Sequence, residues 1–241
     1  MTEKATELEQ RQRQAQQVID TLFDYYGEAV CTLNYVDDPW RLLVGAILAA
    51  QCTDERVNKI TPALFERFPA ISDFAAVTPA EIEPYIKSCG IFRNKAKAIQ
   101  GSAVMLLHEF DGAVPRERDA LLRLPGVGRK IANLLIGDAF GGQAIVVDTH
   151  CGRISRLMGF TNHKDAAKIE RDLVKVVPQK HWADWGHLLV AHGREICVAR
   201  RPACDRCPIA HLCDTGLRYL ADLSEAQVKS GDDGDVDGGA T

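Results

Sequence analysis

The sequence has no long hydrophobic run. Its longest stretch of apolar residues and glycine, Leu42–Ala50, is far shorter than the roughly 20 residues a helix needs to cross a bilayer. A membrane partner is therefore not expected. The polar N-terminal residues contain no apolar core of the kind a secretory signal carries. The expected location is the cytoplasm, on the nucleoid if the source is bacterial or archaeal. No repeat of 20–50 residues is visible, which sets aside solenoids and propellers. Strand-like composition is confined to Ala144-Ile145-Val146-Val147. That segment has no evident partner strand and reads as extended chain. An excess of positive charge is also missing. The formal net charge is −4, but residues 222–241 hold six acids against the single base Lys229, a net of −5 that leaves +1 on the rest. A near-neutral body can still present a basic face, so the balance neither requires nor excludes a nucleic-acid partner.

What is present is helical periodicity. With 241 residues and 46% apolar content, the chain can form one large or two small domains with a substantial core. Apolar spacing predicts helices over residues 4–27, 57–68, 79–89, 95–110, 116–124, 165–177 and 182–197, and from Asp148 to about Met158. The segment from Pro39 to Ala50 is apolar nearly all round, as a fully buried helix is. After Leu223 the Gly- and Asp-rich end cannot bury apolar surface and is expected to be disordered.

One stretch organises the rest. Leu121, Leu122 and Leu124 end at Pro125-Gly126-Val127-Gly128, and apolar positions resume at Ile131, Leu134 and Leu135. Four residues allow only a tight turn between two helices. Gly126 and Gly128 can both take positive φ there. Their backbone N–H groups, at the start of the next helix, suit a phosphate oxygen. Arg129 and Lys130 fall in that first turn, where the macrodipole disfavours cations. The pattern points to an anionic partner or a special amine. An ordinary helical corner with two solvated charges would also produce it.

Other positions carry chemistry with a structural reading beside it. Asp148, before Thr149-His150, is a strong helix N-cap. Gln51, after the buried helix, reads as a polar cap of local backbone groups. Ile91, after Gly90, reads as a buried staple. Cys197, Cys204, Cys207 and Cys213 are spaced x6, x2, x5 within 17 of the residues. Four thiols so close indicate a metal rather than disulfides in this compartment. Zinc and [4Fe–4S] both accept four thiolates. The six-residue gap fits paired zinc knuckles poorly, and Pro208 echoes the Cys-Pro of cluster-binding runs. Arg200, Arg201 and Arg206 lie between these cysteines, either as a solvated basic loop or as bidentate phosphate ligands. Cys31, Cys52, Cys89 and Cys151 show no ligand spacing and read as small buried residues.

Leu-Pro-Gly-Val-Gly-Arg-Lys, Val-Asp-Thr-His and the x6-x2-x5 cysteine loop occur in one order. Together they resemble the endonuclease III family of DNA glycosylases over residues from about 15 to 215. The resemblance implies an all-α, two-domain helix–hairpin–helix DNA glycosylase fold. The helical barrel domain would span 32–142. The N-terminal helix, 1–31, would join 143–221 in a [4Fe–4S] cluster domain, and 222–241 would be the acidic tail. Lys130 matches the family's catalytic nucleophile and Asp148 its second catalytic residue, with DNA lying across the cleft between them. Cys197, Cys204, Cys207 and Cys213 match the cluster ligands. Gln51 matches the glutamine that fills the space left by an extruded nucleotide. Ile91 matches a leucine wedged into the opposite strand. Arg93 departs from the common polar neutral residue and could add a phosphate contact, with Gly126, Gly128, Arg129, Arg200, Arg201 and Arg206 completing the DNA-binding set. The family's adenine-mismatch branch lacks the lysine and carries an extra C-terminal domain. Lys130 and the short tail therefore favour the oxidised-pyrimidine branch. The implied protein is a monomeric glycosylase and AP lyase acting on duplex DNA with damaged bases or abasic sites. Two readings from other classes are a non-catalytic hairpin DNA-binding module, which needs neither Lys130 nor Asp148, and an iron–sulfur redox protein, which needs no basic hairpin.

Overall fold

A computed structural model describes residues 3–231. Among the described residues there is no β-strand. The α-helices run in the order α1 Glu3–Tyr26, α2 Pro39–Leu48, α3 Asp54–Arg67, α4 Ile71–Ala76, α5 Pro79–Ile86, α6 Phe92–Glu109, α7 Arg118–Leu121, α8 Arg129–Leu134, α9 Thr149–Leu157, α10 Ala166–Val176, α11 Trp182–Glu195 and α12 Asp214–Gly231. None of them is long and apolar enough to cross a membrane. Val30–Val146 with Gln179–Asp184 form one compact unit, and Met1–Ala29, Val147–Pro178 and Trp185–Thr241 form the other. The short piece at 179–184 has no marker in the sequence. Its place follows from a close approach, in which a Cβ at Gly137 would meet Ala183 at 3.3 Å.

The first unit is built round α2. Asp38 caps it, accepting from Arg41 N–H at 3.0 Å, and Pro39 stands at its first position, where a missing N–H costs nothing. Trp40, Leu42, Leu43, Val44, Ile47 and Leu48 are all buried, each contributing about 1.5–3 kcal/mol by leaving water. α4 and α5 pack on α6, as α2 does. Phe65, Phe68 and Phe74 meet edge-on or tilted in the core. α4 is an addition to the helices expected from periodicity. It is only six residues long, too short to show a period, and it starts where Asp73 caps the Ala70 N–H at 2.8 Å. After α8 the backbone passes into a π-turn at Leu135–Ala139. Asn133 then donates to Ile145 O at 2.8 Å, which gives one carbonyl of the extended segment a partner outside any sheet.

In the second unit, α1 lays Ala15, Val18, Ile19 and Leu22 against α10. Arg11 pairs with Asp214 at 3.2 Å, and Gln14 donates to Leu212 O at 2.6 Å. Phe160 and Trp185 stack edge-on at 5.6 Å. The main departure from expectation is α12, which continues to Gly231. Residues 222–231 are therefore helical rather than part of a disordered tail. Leu217, Leu220 and Leu223 recur along one stripe, and Arg218 and Ala221 between them are good helix formers. Residues 232–241 of the acidic tail lie outside the described residues.

The turn that orients α8 depends on Gly126. Its φ is +78, and a Cβ there would stand 2.7 Å from Ala98 Cβ on α6. Gly126→Ala should lower stability by about 2 kcal/mol through left-handed strain and overpacking. The measurement is a denaturant midpoint that falls with an unchanged slope. An unchanged midpoint would show that the turn has room to give.

Candidate functional site

The hairpin is assembled from short local bonds. Val127 N–H donates to Leu124 O at 3.1 Å, and Ser102 Oγ on α6 donates to Pro125 O at 3.0 Å. The ring of Pro125 rests 3.2 Å from where a Gly101 Cβ would be. The two glycines differ. Gly126 takes the positive φ expected of it, whereas Gly128 is extended, with φ −98 and ψ 178, and caps α8. A Cβ at Gly128 would meet nothing. Its lack of a side chain leaves open space in front of the helix start rather than permitting a special backbone. Arg129 and Lys130 follow, both exposed, in the first turn of α8. Lys130 is near enough to Cys31 to act on it. Burial and then Asp138 push that thiol up to about 12, and the Lys130 ammonium opposes the rise.

Two left-handed turns lie in the same unit. Gln51 has φ +55 just after α2, and Ile91 has φ +38 just before α6. Ile91 is 52% exposed, so it is not the buried staple its sequence context allows. A β-branched residue at positive φ is a true outlier. Arg93, two residues on, is exposed, with its guanidinium over the Phe92 ring at 5.4 Å.

Asp148 belongs to the other unit. It caps α9, accepting from Cys151 N–H at 2.7 Å, and is half-buried. The bond occupies Oδ1 and fixes the carboxylate's direction. Gly193 on α11 lets α9 approach closely, since a Cβ there would collide with the His150 ring.

Cys197, Cys204, Cys207 and Cys213 line one apolar cavity with Ile154, Leu157, Ile196 and Ile209. Among the described residues, no three metal-binding side chains are gathered round a single-ion site. Four thiols lining one cavity form a donor set that a metal cluster could use. Donors already point at the sulfurs. Arg153 reaches Cys197 Sγ at 3.4 Å and Cys197 O at 2.6 Å. His192 Nε2 lies 3.5 Å from Cys207 Sγ, while Tyr26 Oη lies 3.1 Å from Nδ1. Both contacts are satisfied if Tyr26 donates to Nδ1 and Nε2–H points at the sulfur. Burial, and then Arg153, pull His192 down to about 4, which keeps the imidazole neutral. Backbone N–H groups of Ile209 and of Gly216 and Thr215 favour thiolate at Cys207 and Cys213 against the upward push of burial. Arg200, Arg201 and Arg206 are exposed on the loop. The sequence carries no local signal for Arg153 or His192, because each is a single polar residue on a helix and only packing turns it toward a sulfur.

Residues 44–179 match the HhH-GPD superfamily of base excision DNA repair proteins, and residues 197–213 match the iron–sulfur binding domain of endonuclease III. Endonuclease III of Synechocystis sp. is 48% identical over 204 residues, covering 84% of this chain and 93% of that protein. Endonuclease III of Bacillus subtilis is 41% identical over 207 residues, with 86% and 94% covered. A solved structure of a trapped endonuclease III–DNA covalent intermediate superimposes with a TM-score of 0.81 at 40% identity, covering 87% of this chain and 98% of that one. The chain belongs to the endonuclease III family. It is a bifunctional DNA glycosylase and AP lyase of base excision repair that binds DNA and carries a [4Fe–4S] cluster.

Purified protein should contain about four irons per chain. Cys204→Ala should lower both iron content and melting temperature, because metal binding is coupled to folding. Stoichiometric zinc without iron would overturn the cluster-ligand assignment.

Proposed function

We propose that the enzyme removes oxidised pyrimidines from duplex DNA and cuts at the resulting or pre-existing abasic sites, with Lys130 as nucleophile and Asp148 as the second catalytic residue. The observation that carries the reading is the exposed amine of Lys130 in the first turn of α8, behind the open space at Gly128. The macrodipole makes this a poor place for a cation held only for stability. The target base must leave the stack before its sugar carbon can be reached. The Lys130 amine then attacks C1′, the glycosidic bond breaks, and the base leaves with a proton. As the sugar ring opens, the remaining amine proton passes to the departing ring oxygen O4′ and an imine forms. Removal of a C2′ proton expels the 3′ phosphate by β-elimination, and water finally releases Lys130. Asp148 supports positive charge developing on the sugar and assists proton transfer. Its cap bond to Cys151 N–H supports this role by fixing the carboxylate.

Gly126, Gly128 and Arg129 of the hairpin, Arg93, and Arg200, Arg201 and Arg206 of the cysteine loop are the proposed phosphate contacts. Gln51 and Ile91 are the residues that enter the duplex, consistent with their exposure on left-handed turns. Cys197, Cys204, Cys207 and Cys213 would hold the cluster, and their bonds to it would brace the arginine loop. On this reading the protein works as a monomer in the cytoplasm, on the nucleoid if the source is bacterial or archaeal.

Borohydride should trap a covalent protein–DNA adduct with the unaltered enzyme. Lys130→Gln should fold and bind lesion DNA, give no adduct, and lose at least about a thousandfold in rate, roughly 4 kcal/mol of transition-state stabilisation. Trapping at the original rate would place the nucleophile elsewhere. Asp148→Asn keeps the helix cap, since Asn caps about as well as Asp, and should still lose most base excision. Full activity in Asp148→Asn, beside a lowered melting temperature in Asp148→Ala, would reduce the carboxylate to a cap.

A further inference from the structure

Lys95 sits in the first turns of α6 with only 3% of its surface exposed. A lysine is among the residues least often buried, and its neighbours Ala96 and Ile99 are ordinary core residues. Its Nζ donates to Leu48 O at 2.9 Å and also to Cys89 O. Its backbone N–H donates to Ile91 O at 3.3 Å. Leu48 ends α2, where carbonyls lack helical partners and a cation is favoured. Gln51 follows three residues later. Cys89 ends the 3-10 turn Lys87–Cys89, and Ile91 follows two residues later. A single side chain thus joins the roots of two turns that are far apart in sequence. The thiols of Cys52 and Cys89 meet beside the same ammonium.

Both turns need an external tie. Gln51 and Ile91 are non-glycine residues in the left-handed region, and such states persist only where the surroundings over-determine them. A methionine at position 95 would fill the same space but leave both carbonyls without a donor. Because Nζ is buried and donates two of its protons to backbone carbonyls, Lys95 is not a second nucleophile. Burial also holds its pKa below the ordinary lysine value.

We propose that Lys95 is a positioning residue for strand entry, tying the end of α2 to the turn before α6 so that Gln51 and Ile91 are presented together to the duplex. The inference rests on the assignment of Gln51 and Ile91 as the inserting residues.

The test compares single-turnover excision by the full-length, cluster-loaded protein on two duplexes. In one, an oxidised pyrimidine is normally paired. In the other, the same lesion faces an abasic site and needs little work to extrude. A 2-aminopurine beside the lesion reports unstacking. Lys95→Met should lose about tenfold on the paired duplex and weaken the 2-aminopurine signal, while staying within about twofold on the unpaired one. Lys95→Arg, which keeps a cation and several donors, should lose less. Ile82→Val, a core change in the same unit, controls for lost stability and should not alter the ratio of the two rates. If Lys95→Met does not fold, Lys95→Gln carries the same comparison with one donor group retained. An unchanged ratio in the Lys95 variants, with Gln51→Ala and Ile91→Ala impaired on paired DNA, would overturn the role of Lys95 alone. Gln51→Ala and Ile91→Ala that treat both duplexes as the unaltered enzyme does would overturn the insertion assignment itself.

Discussion

The proposed active centre depends on a close approach of two backbones. Gly126 can lie against Ala98 only because it has no Cβ, and that approach sets the direction in which α8 leaves the hairpin. Lys130 inherits its position from this contact. The seat is continued by Gly101 under Pro125 and by the Ser102 bond to Pro125 O. Ala98, Gly101 and Ser102 recur at three- and four-residue steps, so they share one face of α6. Lys95 is one step further toward the start of that helix. A single helix therefore seats the hairpin through small residues and reaches the two left-handed turns through a buried cation. The rigidity of α6, not any one loop, connects the amine with the residues proposed to open the duplex.

The cysteine loop solves a different problem. Residues 197–213 have little regular structure beyond two short 3-10 turns, Cys204–Arg206 and Ala210–Leu212. Three exposed arginines on such a loop would otherwise be poorly placed to hold phosphates. The four cysteines proposed to hold the cluster would, through their bonds to it, stand in for a hydrophobic core as the source of order. The surrounding helices contribute donors, with Arg153 from α9 aimed at Cys197 and His192 from α11 at Cys207. N–H groups directed at the sulfurs offset their negative charge, a standard lever on cluster potential. The neutral state of His192 fits this role, with burial first and the Arg153 charge second holding its pKa down.

The amino-acid sequence determined the helical class, the hairpin, the N-cap at Asp148 and the four-cysteine loop. Each of these is written in local spacing or in the chemistry of one residue type. The long amphipathic helices were legible to within a few residues for the same reason. Elements without a period were not. α4 is too short to show one, and α12 was hidden by the acidic composition that follows it. The identical chemistry of Gly126 and Gly128 gave no hint that one would be left-handed and the other extended. Only the tertiary structure decided that Ile91 faces outward, that Lys95 is buried between two carbonyls, and that Arg153 and His192 address sulfurs. These outcomes depend on residues distant in the chain meeting in space. Burial and hydrogen-bond partnership are properties of that meeting, and no local pattern encodes them.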